Sequence, residues 1–182
     1  EQSISLFMRN GSILLHDGGY RPKLPSGPNG EWRADIFHNK MVFRSADVFD
    51  SGFEFQKLKD QGFYKESSTE NVDFVKGEFC VHSRTKELIN SKGISHERII
   101  DYLPNDGVFL VFDIVNSNSQ NYSANNLWFS QNIIERGKNW YLTKYDSIIK
   151  WENPVDESLY IIFNQQNKST VFTDKVERHK QE

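Results

Sequence analysis

The residues whose types and spacing suit chemistry lie in two short segments. One is His16-Asp17-Gly18-Gly19-Tyr20-Arg21, and the other is Trp32-Arg33-Ala34-Asp35-Ile36-Phe37-His38-Asn39. In an extended chain Asp17 falls on the face of Ile13 and Leu15, and His16 falls on the opposite one, so only one of the pair can join a given site. A carboxylate that follows an inward apolar pair needs a cation or hydrogen-bond donors. His38 sits within IFHNKMVF, where a neutral imidazole must bond through both nitrogens or bind a metal. An aspartate and a histidine are two ligands of a zinc site, which needs a third from the protein. Taken singly, Asp17 also fits a turn aspartate and His38 a satisfied core histidine. Other routes to chemistry are closed. His16, His38, His82, His96 and His179 fall in no HExxH, HxH or CxxH spacing, and GxSxG, P-loop and GxGxxG patterns are absent. Cys80, the only cysteine, excludes a disulfide framework or a CxxC knuckle and reads as a small apolar residue between Phe79 and Val81.

Strands must position these groups. Alternation predicts them over residues 3–9, with Ile4, Leu6 and Met8 on one face and Phe7 on the other, and over 12–17, joined by the hairpin dipeptide Asn10-Gly11. Further strands are expected over 34–44, 72–83, 96–103, 108–115, 126–130, 140–144 and 159–164. The glycines and prolines of 18–30 form a loop, residues 51–71 read as loop with one short element, and 116–123 is a turn cluster. No stretch sustains a helical period. The expected fold is an all-β, antiparallel β-sandwich of two packed sheets spanning residues 1–173, followed by a charged tail, 174–182.

One hairpin follows in detail. If Pro104-Asn105-Asp106-Gly107 is a four-residue loop, Leu103 faces Val108, Ile100 faces Val111 and Arg98 faces Asp113. Both faces of the second strand are then apolar, as in an interior strand covered on both sides. Asp113 there needs a partner, and Arg98 supplies a structural ion pair.

The 182 residues suit one large domain, with aromatic content of 14% that a disordered chain would lack. A net charge of −3 argues against a nucleic-acid partner. The longest apolar run, Val108 to Phe112, is far short of a membrane span. The chain opens at Glu1 with no leader and reads as a piece of a longer precursor.

Three segments together resemble the C-terminal β-sandwich domain of the heparinase II/III-like polysaccharide lyases. Asn10–Tyr20 is similar to that family's "G-x-L-hydrophobic-x-D-x-G-x-Y" stretch, and Phe37-His38-Asn39 to its "HN" strand. His96-Glu97-Arg98, through Asp106-Gly107-Val108 to Asp113, resembles its "hxR…dG-hydrophobic-hydrophobic-D" hairpin, with Trp128 following. The resemblance covers residues 1–130 and implies one divalent metal, zinc, held by Asp17 and His38, with Asn39 supporting the histidine. It places a third ligand and a catalytic histidine upstream of Glu1. The remaining catalytic groups fall in a missing N-terminal α/α-toroid domain, so no catalytic residue is expected in this chain and the piece alone is expected to be inactive.

The implied reaction is β-elimination on a uronate-containing acidic polysaccharide of the heparin, heparan or alginate kind, in the periplasm or outside a bacterial cell. A base removes the proton beside the carboxylate, whose developing charge must be neutralised. Residues 20–44 carry Arg21, Lys23, Arg33, Lys40 and Arg44 against Glu31 and Asp35, a basic stretch in an acidic chain. Tyr20, Arg21 and Arg33 are the expected substrate contacts, since arginine grips carboxylate or sulfate with two donors. A noncatalytic carbohydrate-binding or structural β-sandwich module is the alternative.

Overall fold

A computed structural model describes residues 3–4, 6–9, 12–16, 35, 38–45, 67–118, 121–130, 132–144 and 158–164. These form eleven strands: β1 Leu6–Arg9, β2 Ser12–His16, β3 Met41–Ser45, β4 Ser68–Lys76, β5 Val81–Ile89, β6 Ile94–Leu103, β7 Val108–Ser117, β8 Tyr122–Asn126, β9 Asn132–Arg136, β10 Trp140–Lys144 and β11 Ser158–Ile162. The fold is all-β and every strand pairing is antiparallel; the described residues contain no α-helix, hence none long and apolar enough to cross a membrane. The chain divides into two compact units. One comprises residues 1–3, 34–36 and 40–127; the other comprises 4–33, 37–39 and 128–182.

The first unit contains a four-stranded sheet, β4-β5-β6-β7, and a two-stranded sheet, β3-β8. The β6–β7 hairpin has the predicted register, Leu103 against Val108 and Arg98 against Asp113 along the full ten rungs. Asp106 N–H closes its turn on the Leu103 carbonyl, and Gly107 takes φ 65°, the left-handed conformation that favours glycine. Phe43 of β3 packs with Ile89 of β5 and Ile94 of β6, joined by Met41, Val115 and Tyr122. This core lies at one end of the four-stranded sheet, beside the turn in which Gly93 adopts φ 61°.

Strand β7 corrects one expectation. It has one paired neighbour among the described residues, and Val108, Leu110, Phe112 and Ile114 are exposed, so only one of its apolar faces is covered. The two edges of the sheet differ. β4 carries Glu70, Asp73, Lys76 and a register shift between Asn71 and Asp73, devices that discourage further pairing, whereas the one charge on β7, Asp113, points inward.

In the second unit, Arg9 pairs with Ser12 at the end of the β1–β2 hairpin, which leaves Asn10-Gly11 as the two-residue connection. Phe7, on the face opposite Ile4 in the alternation, is buried. A second sheet runs β11-β10-β9. Trp140 and Tyr160 meet at a ring-centre separation of 5.9 Å, and Tyr141 packs edge-on against Phe163 at 6.0 Å. Residues 174–182, read as a tail, lie outside the described residues.

Candidate functional site

The metal pair is half within view. His38 is buried, but residues 38–40 form a bend leading into β3 rather than part of the strand expected over 34–44. The next residue explains how the bend is held. Asn39 is fully buried; its amide donates to the Ile4 carbonyl at 2.8 Å, and its side-chain oxygen accepts the Phe129 N–H. Adjacent Ser130 forms a bridge with Leu15 near the end of β2. The end of β2 and the His38-Asn39 bend thus flank the same stretch, 128–130. Asp17, Tyr20, Arg21 and Arg33 lie outside the described residues. Among the described residues, no three His, Cys, Asp or Glu side chains group as a metal site.

Two cations of the basic stretch are buried. Arg44 has no exposed surface and grips Asp35 with two donors at 2.9 and 2.6 Å. Lys40 is buried as well and bonds Glu87 at 3.2 Å. A buried cation needs an anion beside it, so these two are internal partners and not exposed contacts. Arg21, Lys23 and Arg33 lie outside the described residues.

The densest chemistry is a polar network inside the first unit. Arg98 has no exposed surface, and it reaches Asp113 through Nε at 2.7 Å and a terminal nitrogen at 2.9 Å. That terminal nitrogen also donates to Asn126 of β8, whose amide in turn donates to Asp113 at 2.9 Å. His96, two residues before Arg98 on the same face of β6, places Nε2 2.7 Å from Asp113 Oδ1. Its Nδ1 lies 3.8 Å from Oε2 of Glu87, the residue facing it on β5, and Glu87 holds Lys40. Five ionisable groups and one amide therefore run from the start of β3, through β5, β6 and β7, to the end of β8.

Burial raises the Glu87 carboxyl, but His96, the Lys40 charge and the Ser67 hydroxyl outweigh it and bring the pKa to about 2. Burial likewise opposes ionisation of Asp113, and His96 and Arg98 hold it below the ordinary carboxylate range. Burial pushes His96 down; the hydrogen bond to Asp113 and the nearby Glu87 carboxylate more than offset this, and its pKa is raised. The arrangement stores charge in a fixed geometry away from water, which suits architecture better than turnover.

Sequence reasoning reached Arg98 and Asp113 but missed Lys40, Glu87, His96 and Asn126 as their companions. The spacing of His96 and Arg98 on one strand was the available signal. Recognising β5 would have added Glu87, because the strand that sets Thr85 opposite Arg98 sets Glu87 opposite His96.

The other face of the four-stranded sheet carries two half-exposed pairs. His82 Nδ1 lies 2.6 Å from Asp101, and Arg84 meets Glu97 through two bonds of 2.7 and 3.0 Å. No protein family, curated protein or solved structure matches the chain.

Proposed function

We propose that this chain is the β-sandwich portion of a polysaccharide lyase. It serves β-elimination on a uronate-containing acidic glycan, heparin-, heparan- or alginate-like, outside the bacterial cytoplasm. In this reading Asp17 and His38 hold one divalent metal, zinc, with a third ligand upstream of Glu1, and Tyr20, Arg21 and Arg33 line the substrate cleft. The proton-abstracting groups belong to a preceding α/α-toroid domain.

The observation that carries the reading is the backbone around 128–130. Leu15, two residues before Asp17, bridges Ser130, and Phe129 bonds the residue beside His38. Cross-strand neighbours sit about 5 Å apart, so two chain segments of unrelated sequence position converge on one short stretch. The motif hairpin adds support. Its Arg98-to-Asp113 spacing is the spacing that a four-residue loop requires for the two side chains to meet.

Metal analysis of the natural protein tests the metal centre. One equivalent of zinc is expected, with loss of the metal and a lower unfolding temperature in Asp17→Ala and in His38→Ala. Metal-free protein, or both variants equal to the parent in metal content and stability, would remove the centre. Ultraviolet absorbance of the unsaturated uronate product, measured on heparin, heparan sulfate and alginate, tests the reaction.

A second reading is favoured by exposed aromatics. Phe74, Phe112 and Tyr160 lie open on strands, as in a noncatalytic carbohydrate-binding or structural module. That module would bind glycan as this isolated chain and lose affinity on Tyr160→Ala.

A further inference from the structure

The two outermost contacts of the polar network belong to the same two-stranded sheet. Lys40 leads into β3 and bonds Glu87 of β5; Asn126 ends β8 and bonds both Arg98 of β6 and Asp113 of β7. His96 stands between the two halves, with no exposed surface on its side chain. Both of its ring nitrogens face carboxylates, Asp113 Oδ1 at 2.7 Å and Glu87 Oε2 at 3.8 Å. A carboxylate accepts hydrogen bonds and, when ionised, donates none, whereas a neutral imidazole has a single N–H. Only the charged ring can offer a proton toward each.

We propose that His96 is a proton-operated clasp that holds the β3-β8 sheet onto the four-stranded sheet when its imidazole is charged and loosens it when the proton leaves. The groups facing the ring make the requirement specific. β5 contributes Glu87, which is held by Lys40 and the Ser67 hydroxyl; β7 contributes Asp113 and the apolar Val115; β6 contributes Arg98; β8 contributes Asn126; and β3 contributes the Phe43 ring at a centre separation of 5.6 Å. Loss of the proton turns an imidazole lone pair toward one of the two carboxylates. Glu87 and Asp113 are then held less firmly, and with them the bonds to Lys40 and Asn126. The raised pKa of His96 fixes the direction: the clasp is fully closed below the ordinary histidine value of 6.5 and opens as pH rises through the folded value above it.

Amide hydrogen exchange on the full chain at pH 6 and pH 9, corrected for intrinsic rate, reads the clasp directly. Protection of residues 41–45 and 122–126 is expected to fall at least tenfold more than protection of β5 and β6. In His96→Gln this difference between pH values disappears. Equal loss across the unit, or the same difference in His96→Gln, overturns the proposal. Should His96→Gln fail to fold, Glu87→Gln decides. It removes one of the two carboxylates, so the His96 ring resonance should titrate at lower pH than in the parent, and protection of β3 and β8 should fall at lower pH with it. An unmoved titration and an unmoved protection profile overturn the clasp.

Discussion

Asp113 gathers several donors of the first unit onto one carboxylate. It accepts one bond from His96, two from Arg98 and one from Asn126. Asp113→Ala leaves Arg98 buried beside His96 with no anion between them, and is expected to cost about 3–5 kcal/mol. The double change Arg98→Met with Asp113→Leu should recover part of that loss, because Arg98 no longer needs an anion while His96 and Asn126 still lack their acceptor. Urea unfolding midpoints of the parent, single and double variants provide the comparison. A second expectation concerns acid. Glu87 ionises at about 2 in the folded chain against 4.5 when unfolded. Its contribution is therefore complete above pH 4.5 and drains away as pH falls toward 2, on the order of 3 kcal/mol in all. Glu87→Gln should flatten the fall in unfolding temperature over that interval. A parent-like acid limb in the variant would assign the loss to other carboxylates.

Among the elements, the turns separate what was legible from what was hidden. Pro104-Asn105-Asp106-Gly107 announces a loop by composition, and the apolar runs beside it leave one register, the one observed. Residues 72–83 read as a single strand but contain a turn, closed by the Gly77 N–H on the Cys80 carbonyl. Gly77 stands alone between Lys76 and Glu78 with no turn dipeptide such as Asn-Gly or Asp-Gly, and apolar residues resume at Phe79 as they would in a continuing strand. Strand β5 escaped notice for a related reason. Its buried positions include Thr85 and Glu87, so the inward face shows no hydrophobic period, and only the partners on β6 and Lys40 make burial tolerable. The bend at 38–40 was likewise hidden, since Asn39 satisfies backbone groups 35 and 90 positions away in the chain. At the β5–β6 turn, a methyl group on Gly93 would meet the Asn118 side chain no closer than 3.7 Å, so space is not the obstacle. Its φ of 61° is, and Gly93→Ala should lower stability by about 1–2 kcal/mol through backbone strain alone, read as a shift in thermal midpoint.

For the whole molecule, the two units predict an uneven landscape of opening. β5 and β6 have strands on both sides, as β10 does in its own sheet. Their amides should exchange most slowly, and β4, exposed along its length, should exchange fastest within its sheet. Mass-resolved exchange at pH 6 checks this order; a β4 as protected as β6 would mean that something covers that edge in solution. The burial of the four-stranded sheet is also lopsided. The side chains fixed by Phe43, Ile89 and Ile94 stand at one end, while Pro104, Asn105 and Asp106 stand exposed at the other. That distant tip is a natural handle. A short epitope or a fluorophore-bearing peptide spliced between Asn105 and Asp106 lengthens a surface connection without touching the anchored end, so the carrier should keep its melting behaviour while becoming traceable in a cell.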